Sequence, residues 1–346
     1  MTDEHYRRAL AAQAEGRYAD AVQLLEQASA AGHVASMTLL GGQLLGGRGA
    51  PPDPPRGLRM LLRAADLGGA YACSLVAAVM ASGVLGPVNW PGAFEYLQRS
   101  AELGYASARD QLRILADPDA SPGQATDADW GALKRRIDLD AWRAPPPLRP
   151  LSSDPVIGVS ERFAPPVVCA WIIAKARERL APAQVFDVGA NRPVQKTSRT
   201  NSFAGFDLIG SDLIVLLIRE RAAALAGAEV QALEAPQALH YEVGQEFTPH
   251  FDFLESDVAG HVRSLDQRGQ RVATVLVYLN EAFEGGETDF PLLGLKFRGR
   301  PGDALIFRNV GADGQPDRRM LHAGLAPTSG EKWLLSQWVR DKTRRS

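Results

Sequence analysis

A repeat of fixed length constrains the fold of this chain more than any other feature of its sequence. Gly32, Gly68 and Gly104 are spaced by 36 residues, and small or apolar residues recur at matching positions around them. A fixed period in this range is typical of helical hairpins that stack and share one continuous core. The first third of the sequence therefore predicts an all-α helical-repeat solenoid over residues 1–116.

Each unit reads as two helices joined by a turn that contains the glycine, and proline-containing loops separate the units. The segments LLEQASAAGHVASM, LLRAADLGGAYACS and YLQRSAELGYASAR resemble the SEL-like branch of the tetratricopeptide repeats. This resemblance implies a surface that binds another protein, for example a protein or peptide substrate. The alternative is a stabilising appendage that has no partner.

Charge and composition exclude several classes of protein. The net charge of -2 argues against a nucleic-acid partner held by bulk electrostatics. No apolar run approaches the roughly 20 residues that a membrane span needs, and the first residues lack the apolar core of a signal peptide. We therefore expect a cytoplasmic protein. Cys73 and Cys169 lie among apolar residues and are predicted to be buried free thiols.

The remaining sequence divides into a linker and a second domain. Prolines mark residues 117–152 as a stiffened linker, with one short helix between Asp127 and Leu139. Residues 153–341 predict an α+β domain that opens with helices near 164–181 and 206–226. Many short strand-like runs follow with no helix between them, which favours an antiparallel sandwich or jelly roll.

Two histidines and one aspartate are the candidate metal ligands. His250 and Asp252 are two residues apart in a predicted strand, so that both side chains should point to the same face. His322, in a later strand-like run, is the candidate third ligand. Two imidazoles and one carboxylate on one face of Fe(II) leave three positions open, as oxygen chemistry requires.

A lysine ten residues after His322 suggests how an anionic co-substrate would bind. Lys332 begins the run KWLLSQWVR and shares a face with Ser336 and Trp338. A buried ammonium group is costly unless an anion meets it, and a dicarboxylate would supply that anion. The hydroxyl groups of Tyr241 and Thr288 could donate hydrogen bonds to the same carboxylate. The alternative for Lys332 alone is a surface lysine at the start of a strand.

Four segments resemble the prolyl 4-hydroxylase branch of the Fe(II)- and 2-oxoglutarate-dependent dioxygenases: LHYEVGQEFTPHFDF, QRVATVLVYLNEAFEGGETDFP, RPGDALIFRN and LHAGLAPTSGEKWLLSQWV. The resemblance implies a double-stranded β-helix, a reaction that consumes O2, and ascorbate as the reductant of the iron. It assigns the metal to His250, Asp252 and His322, and 2-oxoglutarate to Lys332, Tyr241 and Thr288. Its substrate-contacting arginine matches Arg271, and its pocket tryptophan matches Trp338.

One position departs from the family pattern. Phe247 stands where the family often has a tyrosine near the substrate, three residues before the first histidine ligand. This change leaves the binding of iron and co-substrate intact but puts proline specificity in doubt. The other histidines, His5, His33, His240 and His261, are predicted to be structural or solvated, with His261 in a loop that could cover the site.

Three alternatives to the hydroxylation of a protein or peptide side chain stay open at this point. The substrate could be a free amino acid or another small metabolite. The chain could be a repeat adaptor that senses oxygen or 2-oxoglutarate without useful turnover, although a complete ligand set argues against this. A zinc hydrolase has little support, because the sequence offers no obvious base and would leave Lys332 unexplained.

Overall fold

The computed structural model describes residues 2–47, 49–119, 128–183, 185–187, 192–194 and 198–343. The chain forms two compact units. The helical unit comprises Met1–Asp138 and Asp207–Leu216, and the sheet unit comprises Leu139–Phe206 and Leu217–Ser346. No helix in the described ranges has both the length and the apolarity that crossing a bilayer requires.

Eight helices form most of the helical unit. They are α1 (Thr2–Ala14), α2 (Tyr18–Ala30), α3 (Val34–Gly46), α4 (Pro54–Asp66), α5 (Ala70–Ser82), α6 (Trp90–Glu102), α7 (Ala106–Ala116) and α8 (Trp130–Arg136).

The predicted helical repeats are confirmed. The pairs α2–α3, α4–α5 and α6–α7 each turn at one of the three spaced glycines. These glycines have φ values of 88°, 86° and 94°, which residues with a Cβ atom rarely adopt. Asp53 and Asn89, also 36 residues apart, cap α4 and α6 by accepting hydrogen bonds from backbone N–H groups. The turn glycine and the capping residue both recur at a spacing of 36 residues, so that the same helical hairpin forms in successive units.

Close packing of α3 against α4 depends on two glycines. A Cβ atom at Gly41 would lie 2.9 Å from Leu61 Cγ and 3.0 Å from Gly57 O, and one at Gly57 would lie 2.7 Å from Gly41 O. Gly42, the next residue of α3, has room, because the nearest atom to its Cβ position is Ile209 Cδ1 at 3.9 Å.

We expect Gly41→Ala and Gly42→Ala to change stability in opposite directions. Gly42→Ala should raise the free energy of unfolding by about 0.5–1 kcal/mol, because alanine has fewer backbone conformations than glycine in the unfolded chain. In the folded helix the added methyl group meets no clash. Gly41→Ala should lower it by about 1–3 kcal/mol through overpacking. Urea unfolding followed by the helical circular dichroism signal measures both. A shift of the same sign in the two variants would contradict this account of the α3–α4 contact.

A segment from the second half of the sequence packs within the helical unit. Leu208 and Ile209 pack against the buried cluster Leu45, Leu61, Leu75, Val76 and Val79. The side-chain Oε1 of Gln111 on α7 accepts a hydrogen bond of 3.0 Å from the backbone N–H of Leu213. The repeat helices therefore contact a stretch of the same chain that lies outside the repeats.

The sheet unit contains the remaining elements. Its helices are α9 (Leu139–Arg143), α10 (Pro166–Arg177), α11 (Leu213–Ala226, which begins in the helical unit) and α12 (Ala259–Arg268). Its strands are β1 (Leu148–Ser153), β2 (Val156–Ser160), β3 (Ala181–Pro182), β4 (Val185–Asp187), β5 (Arg192–Val194), β6 (Ser202–Gly205), β7 (Gln237–Tyr241), β8 (Phe247–His250), β9 (Arg271–Tyr278), β10 (Phe283–Gly285), β11 (Thr288–Phe290), β12 (Leu295–Phe297), β13 (Ala304–Arg308), β14 (His322–Gly324), β15 (Pro327–Gly330) and β16 (Lys332–Arg340).

Two antiparallel sheets form the core of this unit, so the predicted jelly roll is confirmed. The larger sheet has the order β1-β2-β13-β9-β16-β7-β6-β3, and the smaller has the order β12-β11-β14-β8. Their buried side chains form a common cluster that contains Tyr241, Tyr278, Phe290, Phe307 and Leu334. The two-stranded pairs β10–β15 and β4–β5 complete the described sheets.

Several boundaries differ from those predicted. Residues 117–152 are not wholly linker: besides the expected short helix, here α8, they contain α9 and β1, and β1 pairs with β2 at the edge of the large sheet. The helix predicted over 206–226 begins only at Leu213, because the Asp212 carboxylate caps its first turn. Cys73 and Cys169 are buried and free, as predicted.

The prediction of strands without intervening helices is wrong at one place. The stretch around His261, taken from the sequence as a loop, forms α12 between β8 and β9. The helix ends at Gly269, which has a φ of 69°. The sequence gives no side-chain N-cap at its start, and Val258 occupies that position, so the usual start signal is missing.

Candidate active site

Three side chains with metal-binding atoms meet between the two sheets. Register pairing of β14 with β8 places His322 opposite His250. One ligand atom from each of His250, Asp252 and His322 lies within 4.8 Å of the others. The Nε2 atom of His322 is 3.5 Å from Asp252 Oδ2, and the Nε2 atom of His250 is 3.8 Å from Asp252 Oδ1.

The second nitrogen of each imidazole fixes its orientation. His250 Nδ1 lies 2.9 Å from Thr248 O, and His322 Nδ1 lies 2.9 Å from Met320 O. A backbone carbonyl can only accept a hydrogen bond. Each Nδ1 therefore carries a hydrogen atom and donates the hydrogen bond. The Nε2 lone pair of each ring is then free to bind a metal, in the arrangement that is usual for metal-ligating histidines.

Electrostatics keeps His250 and Asp252 in the protonation states that a metal needs. Burial, together with the neighbouring His322, lowers the pKa of His250 to about 3, so that its ring is neutral at physiological pH. Burial opposes the charge of Asp252, yet the two imidazoles, Arg271 and a hydrogen bond of 2.7 Å from Thr274 hold the pKa of this carboxyl below its usual value. The three residues therefore fit a divalent ion that takes nitrogen and oxygen ligands.

The reasoning that placed Asp252 by strand parity is wrong, although its side chain does reach the site. Strand β8 ends at His250, and Asp252 lies in a bend after it. The hydroxyl of Thr274 on β9 holds the carboxylate in place, and the side chain of Asn309 donates in turn to that hydroxyl at 3.0 Å. These contacts come from residues distant in sequence, which a local pattern does not reveal.

Lys332 is completely buried, and its Nζ atom forms no hydrogen bond with any of the described residues. It pairs in register with Tyr241, and Nζ lies 4.9 Å from the centroid of that ring. Its methylene chain passes Gly286, where a Cβ atom would lie 3.3 Å from Lys332 Cδ. Burial lowers the pKa of Lys332 to about 7. A buried, unpartnered amine is the group that a carboxylate ligand would satisfy.

Tyr241 and Thr288 both line the small cavity beside the candidate ligands. Burial raises the pKa of Tyr241 to about 12, so its hydroxyl remains a hydrogen-bond donor. The Thr288 hydroxyl already has a partner, Tyr278 Oη at 2.8 Å, which the sequence did not single out.

The predicted substrate residues have different surroundings. Trp338 and Phe247 line the cavity, and the Phe247 ring stacks on His250 with a centroid distance of 3.4 Å. Arg271 instead forms two hydrogen bonds of 2.7 and 3.0 Å with the carboxylate of Glu234, and its guanidinium covers Trp338 at 3.9 Å. Arg340 donates to the same carboxylate at 2.6 Å. Arg271 is thus held as part of the wall behind Trp338.

Sequence reasoning missed Arg199, which lines the cavity and is only 8% exposed. Its Nε donates to Asn201 at 3.2 Å, and its guanidinium lies 4.7 Å from the Phe247 ring. An isolated bridge between Arg199 and Phe247 brings it beside the candidate ligands. This pairing joins residues about 50 apart in sequence, so no local signal announced it.

The other histidines lie away from the candidate ligands, as predicted. His240 contacts Glu331 at 2.8 Å and Trp333, and His261 Nδ1 accepts from the backbone N–H of Glu255. His33 Nδ1 caps α3 by accepting from Ser36, and His5 lies on α1.

Comparison with known proteins agrees with this architecture. The model of the 2OG-Fe(II) oxygenase superfamily matches residues 236–340. Prolyl 4-hydroxylase 1 of Arabidopsis thaliana is 34% identical over 206 residues, which span 56% of this chain and 71% of that protein.

Two solved structures align with parts of the chain. The viral collagen prolyl hydroxylase of Paramecium Bursaria Chlorella virus-1, in complex with 2OG, is 26% identical over 53% of this chain and 95% of its own, with a TM-score of 0.41. A Sel1 repeat protein of Oxalobacter formigenes aligns at 18% identity over 41% of this chain and 61% of its own, with a TM-score of 0.32. On the sequence matches, the chain belongs to the 2OG-Fe(II) oxygenase superfamily, among the relatives of the prolyl 4-hydroxylases.

Proposed function

We propose that this chain is an Fe(II)- and 2-oxoglutarate-dependent hydroxylase of protein or peptide side chains that releases succinate and CO2. The observation that carries the proposal is the pairing of a complete ligand set, His250, Asp252 and His322, with the buried and unpartnered amine of Lys332. A dicarboxylate co-substrate would supply the anion that such a buried amine needs.

Each residue has a separate role in the proposal. His250, Asp252 and His322 would hold Fe(II), which supplies the activation of O2. Lys332 would pair with the distal carboxylate of 2-oxoglutarate, with Tyr241 and Thr288 beside it. Trp338, Phe247 and Arg199 would form the cavity wall that the substrate contacts. Ascorbate as the reductant of the iron, and a cytoplasmic location, stay predictions.

The experiment that tests the proposed function looks for one added oxygen atom. Proteins and metabolites of a cell lysate are incubated with the wild-type chain or with Asp252→Ala, together with Fe(II), 2-oxoglutarate and O2, and are compared by mass spectrometry. The proposal expects hydroxylated residues in peptides only with the wild-type chain. Proline is the first residue to examine, because the relatives are named prolyl 4-hydroxylases. Lysate that gives no oxygenated product and no extra succinate would refute the proposal.

A free amino acid or small metabolite is the second candidate substrate, and Arg199 favours it. No carboxylate among the described residues forms an ion pair with this buried guanidinium, which could therefore bind the carboxylate of a small substrate. Hydroxylation found only in the metabolite fraction of the same lysate experiment would establish this alternative.

The affinity for 2-oxoglutarate should fall as the pH rises above 7. Lys332 has a pKa of about 7 before the ligand binds, and a bound carboxylate would raise it. Below pH 7 the ammonium is already present, whereas above pH 7 binding must take up a proton. The dissociation constant should then rise by up to about tenfold per pH unit. Anaerobic titration of the Fe(II)-loaded chain with 2-oxoglutarate between pH 6.5 and 8.5 measures it, and a flat profile would contradict the role of Lys332.

A further inference from the structure

A buried tyrosine that has no role in the proposed reaction lies beside the predicted 2-oxoglutarate residues. Tyr278, the last residue of β9, is completely buried, and its ring packs edge-on against Phe297 with a centroid distance of 5.6 Å. A Cβ atom at Gly299 would lie 2.7 Å from Tyr278 Cδ2, so the backbone there also confines the ring. The Tyr278 hydroxyl is thus held at one place, within hydrogen-bond distance of Phe297 O and the hydroxyl of Thr288.

The first of these two hydrogen bonds fixes the direction of the second. Tyr278 Oη lies 2.9 Å from Phe297 O, which can only accept, so the single hydroxyl hydrogen of the tyrosine is donated there. Burial raises the pKa of Tyr278, so this hydrogen stays in place at physiological pH. Thr288 Oγ1 lies 2.8 Å from the same tyrosine oxygen. The threonine must therefore be the donor of the bond that joins the two hydroxyls.

This direction changes what Thr288 offers to a ligand. Its only hydroxyl hydrogen is donated to Tyr278, so that only its lone pairs remain for the cavity that it lines. Donation from Thr288 to a carboxylate, as predicted from the sequence, would break one of the two hydrogen bonds of Tyr278 and leave a buried group unpaired. Because an unpaired buried group costs about as much as one hydrogen bond gains, such a donation would contribute little to binding.

The cavity thus presents a donor and an acceptor close together. Burial raises the pKa of Tyr241 to about 12, so its hydroxyl remains a donor. Gly324 pairs in register with Thr288, and a Cβ atom at Gly324 would lie 3.1 Å from Tyr241 Oη. A carboxylate has acceptors only, so it satisfies Tyr241 but meets the lone pairs of Thr288. A carboxamide has a C=O that accepts and an NH2 group that donates, so it can satisfy both residues.

We propose that Tyr278 fixes the Thr288 hydroxyl as a hydrogen-bond acceptor, and that the pocket beside Lys332 therefore also binds 2-oxo acids whose distal group is a carboxamide. The amide C=O accepts from Tyr241 and Lys332, and the amide N–H donates to Thr288. Tyr278 is a positioning residue, because it acts on the ligand through Thr288. The proposal rests on the proposed function, since the 2-oxo acid occupies the same site.

The experiment compares two ligands that differ only in the distal group. N-oxalylglycine is 2-oxoglutarate with an NH group in place of one CH2 group, and N-oxalylglycinamide is its terminal amide. Each ligand is titrated anaerobically into the Fe(II)-loaded full-length chain and followed by calorimetry, so that no turnover is needed. The variants are Thr288→Val, Thr288→Ser, Tyr278→Phe and the double variant Tyr278→Phe/Thr288→Val. Thr38→Val is the control, because Thr38 is a buried threonine of α3.

We expect Thr288→Val to raise the dissociation constant of the amide about tenfold relative to that of the carboxylate, because it removes the acceptor of the amide N–H. Tyr278→Phe should tighten the binding of the carboxylate about three- to tenfold, because the hydrogen of Thr288 can then be donated to the ligand. The double variant should lose this gain, since it has no hydroxyl beside the ligand. Thr288→Ser, which keeps the hydroxyl, and Thr38→Val should retain the wild-type ratio of the two constants.

Three results would each overturn the proposal: no binding of the amide to the wild-type chain, a loss of carboxylate affinity in Thr288→Val as large as the loss of amide affinity, or no tighter carboxylate binding in Tyr278→Phe. The second result is also what a purely structural role of Thr288 would give, and its measurement does not depend on the folding of Tyr278→Phe. A wild-type chain that bound neither ligand would refute the proposed function as well. Normal carboxylate binding with an unchanged ratio in Thr288→Val would refute only the role of Tyr278.

Discussion

Replacing Asp252 with alanine is expected to lower succinate release by more than about a hundredfold, since the loss of outer contacts of a metal site alone commonly costs 10–100-fold. The variant removes the only carboxylate of the ligand set and leaves His250 and His322 facing each other, with ring centroids 4.4 Å apart. Two neutral imidazoles should hold Fe(II) far more weakly than two imidazoles and one carboxylate. Succinate is measured over time with saturating Fe(II) and 2-oxoglutarate.

Asp289→Ala is the matched control for this change. Asp289 lies on β11, beside Ala323 of β14, and its side chain points away from the face that carries Thr288. It is a carboxylate in the same small sheet without a place in the ligand set. Succinate release should stay close to that of the wild type. Wild-type turnover by Asp252→Ala would show that the metal lies elsewhere.

Lys332→Met is expected to weaken the binding of 2-oxoglutarate by about 2–5 kcal/mol, the usual loss when one partner of a buried charge pair is removed. This corresponds to a dissociation constant at least about thirtyfold higher. The free protein should become more stable, because Nζ is fully buried without a hydrogen bond to any described residue and methionine fills the same space. Iron binding should change little. Anaerobic titration with 2-oxoglutarate and thermal unfolding measure the two effects.

Lys296→Met provides the comparison, because Lys296 is an exposed lysine on β12. It should affect neither the affinity nor the melting temperature. If Lys332→Met bound 2-oxoglutarate as tightly as the wild type, the carboxylate would have to bind another cation, and Arg199 in the cavity wall would be the first to test.

The sequence alone predicts those parts of the fold and the site that depend on a periodic pattern or on residues close together in the chain. The 36-residue spacing of Gly32, Gly68 and Gly104 specified the hairpin turns, because each turn needs a positive φ. Lys332 at the start of a strand is predicted to face inward, and in the structure it is fully buried, with no hydrogen bond from Nζ to any described residue.

Features that depend on distant contacts could not be predicted in this way. Asp252 reaches the site through Thr274 on β9, not through strand parity with His250. Arg199 reaches it through a bridge to Phe247, and Arg271 is held by Glu234. Each of these contacts joins elements whose pairing emerges only when the sheets are assembled.

The formation of an Fe(II)–2-oxoglutarate chelate tests the central claim most directly, because it needs no knowledge of the substrate. Anaerobic protein is titrated with Fe(II) in the presence of 2-oxoglutarate, and the visible charge-transfer absorption of the chelate is followed. The wild type and Asp289→Ala should develop this absorption and saturate at one iron per chain, whereas Asp252→Ala and His322→Ala should not. Equal absorption in Asp252→Ala and the wild type would contradict the assignment of His250, Asp252 and His322 as the iron ligands.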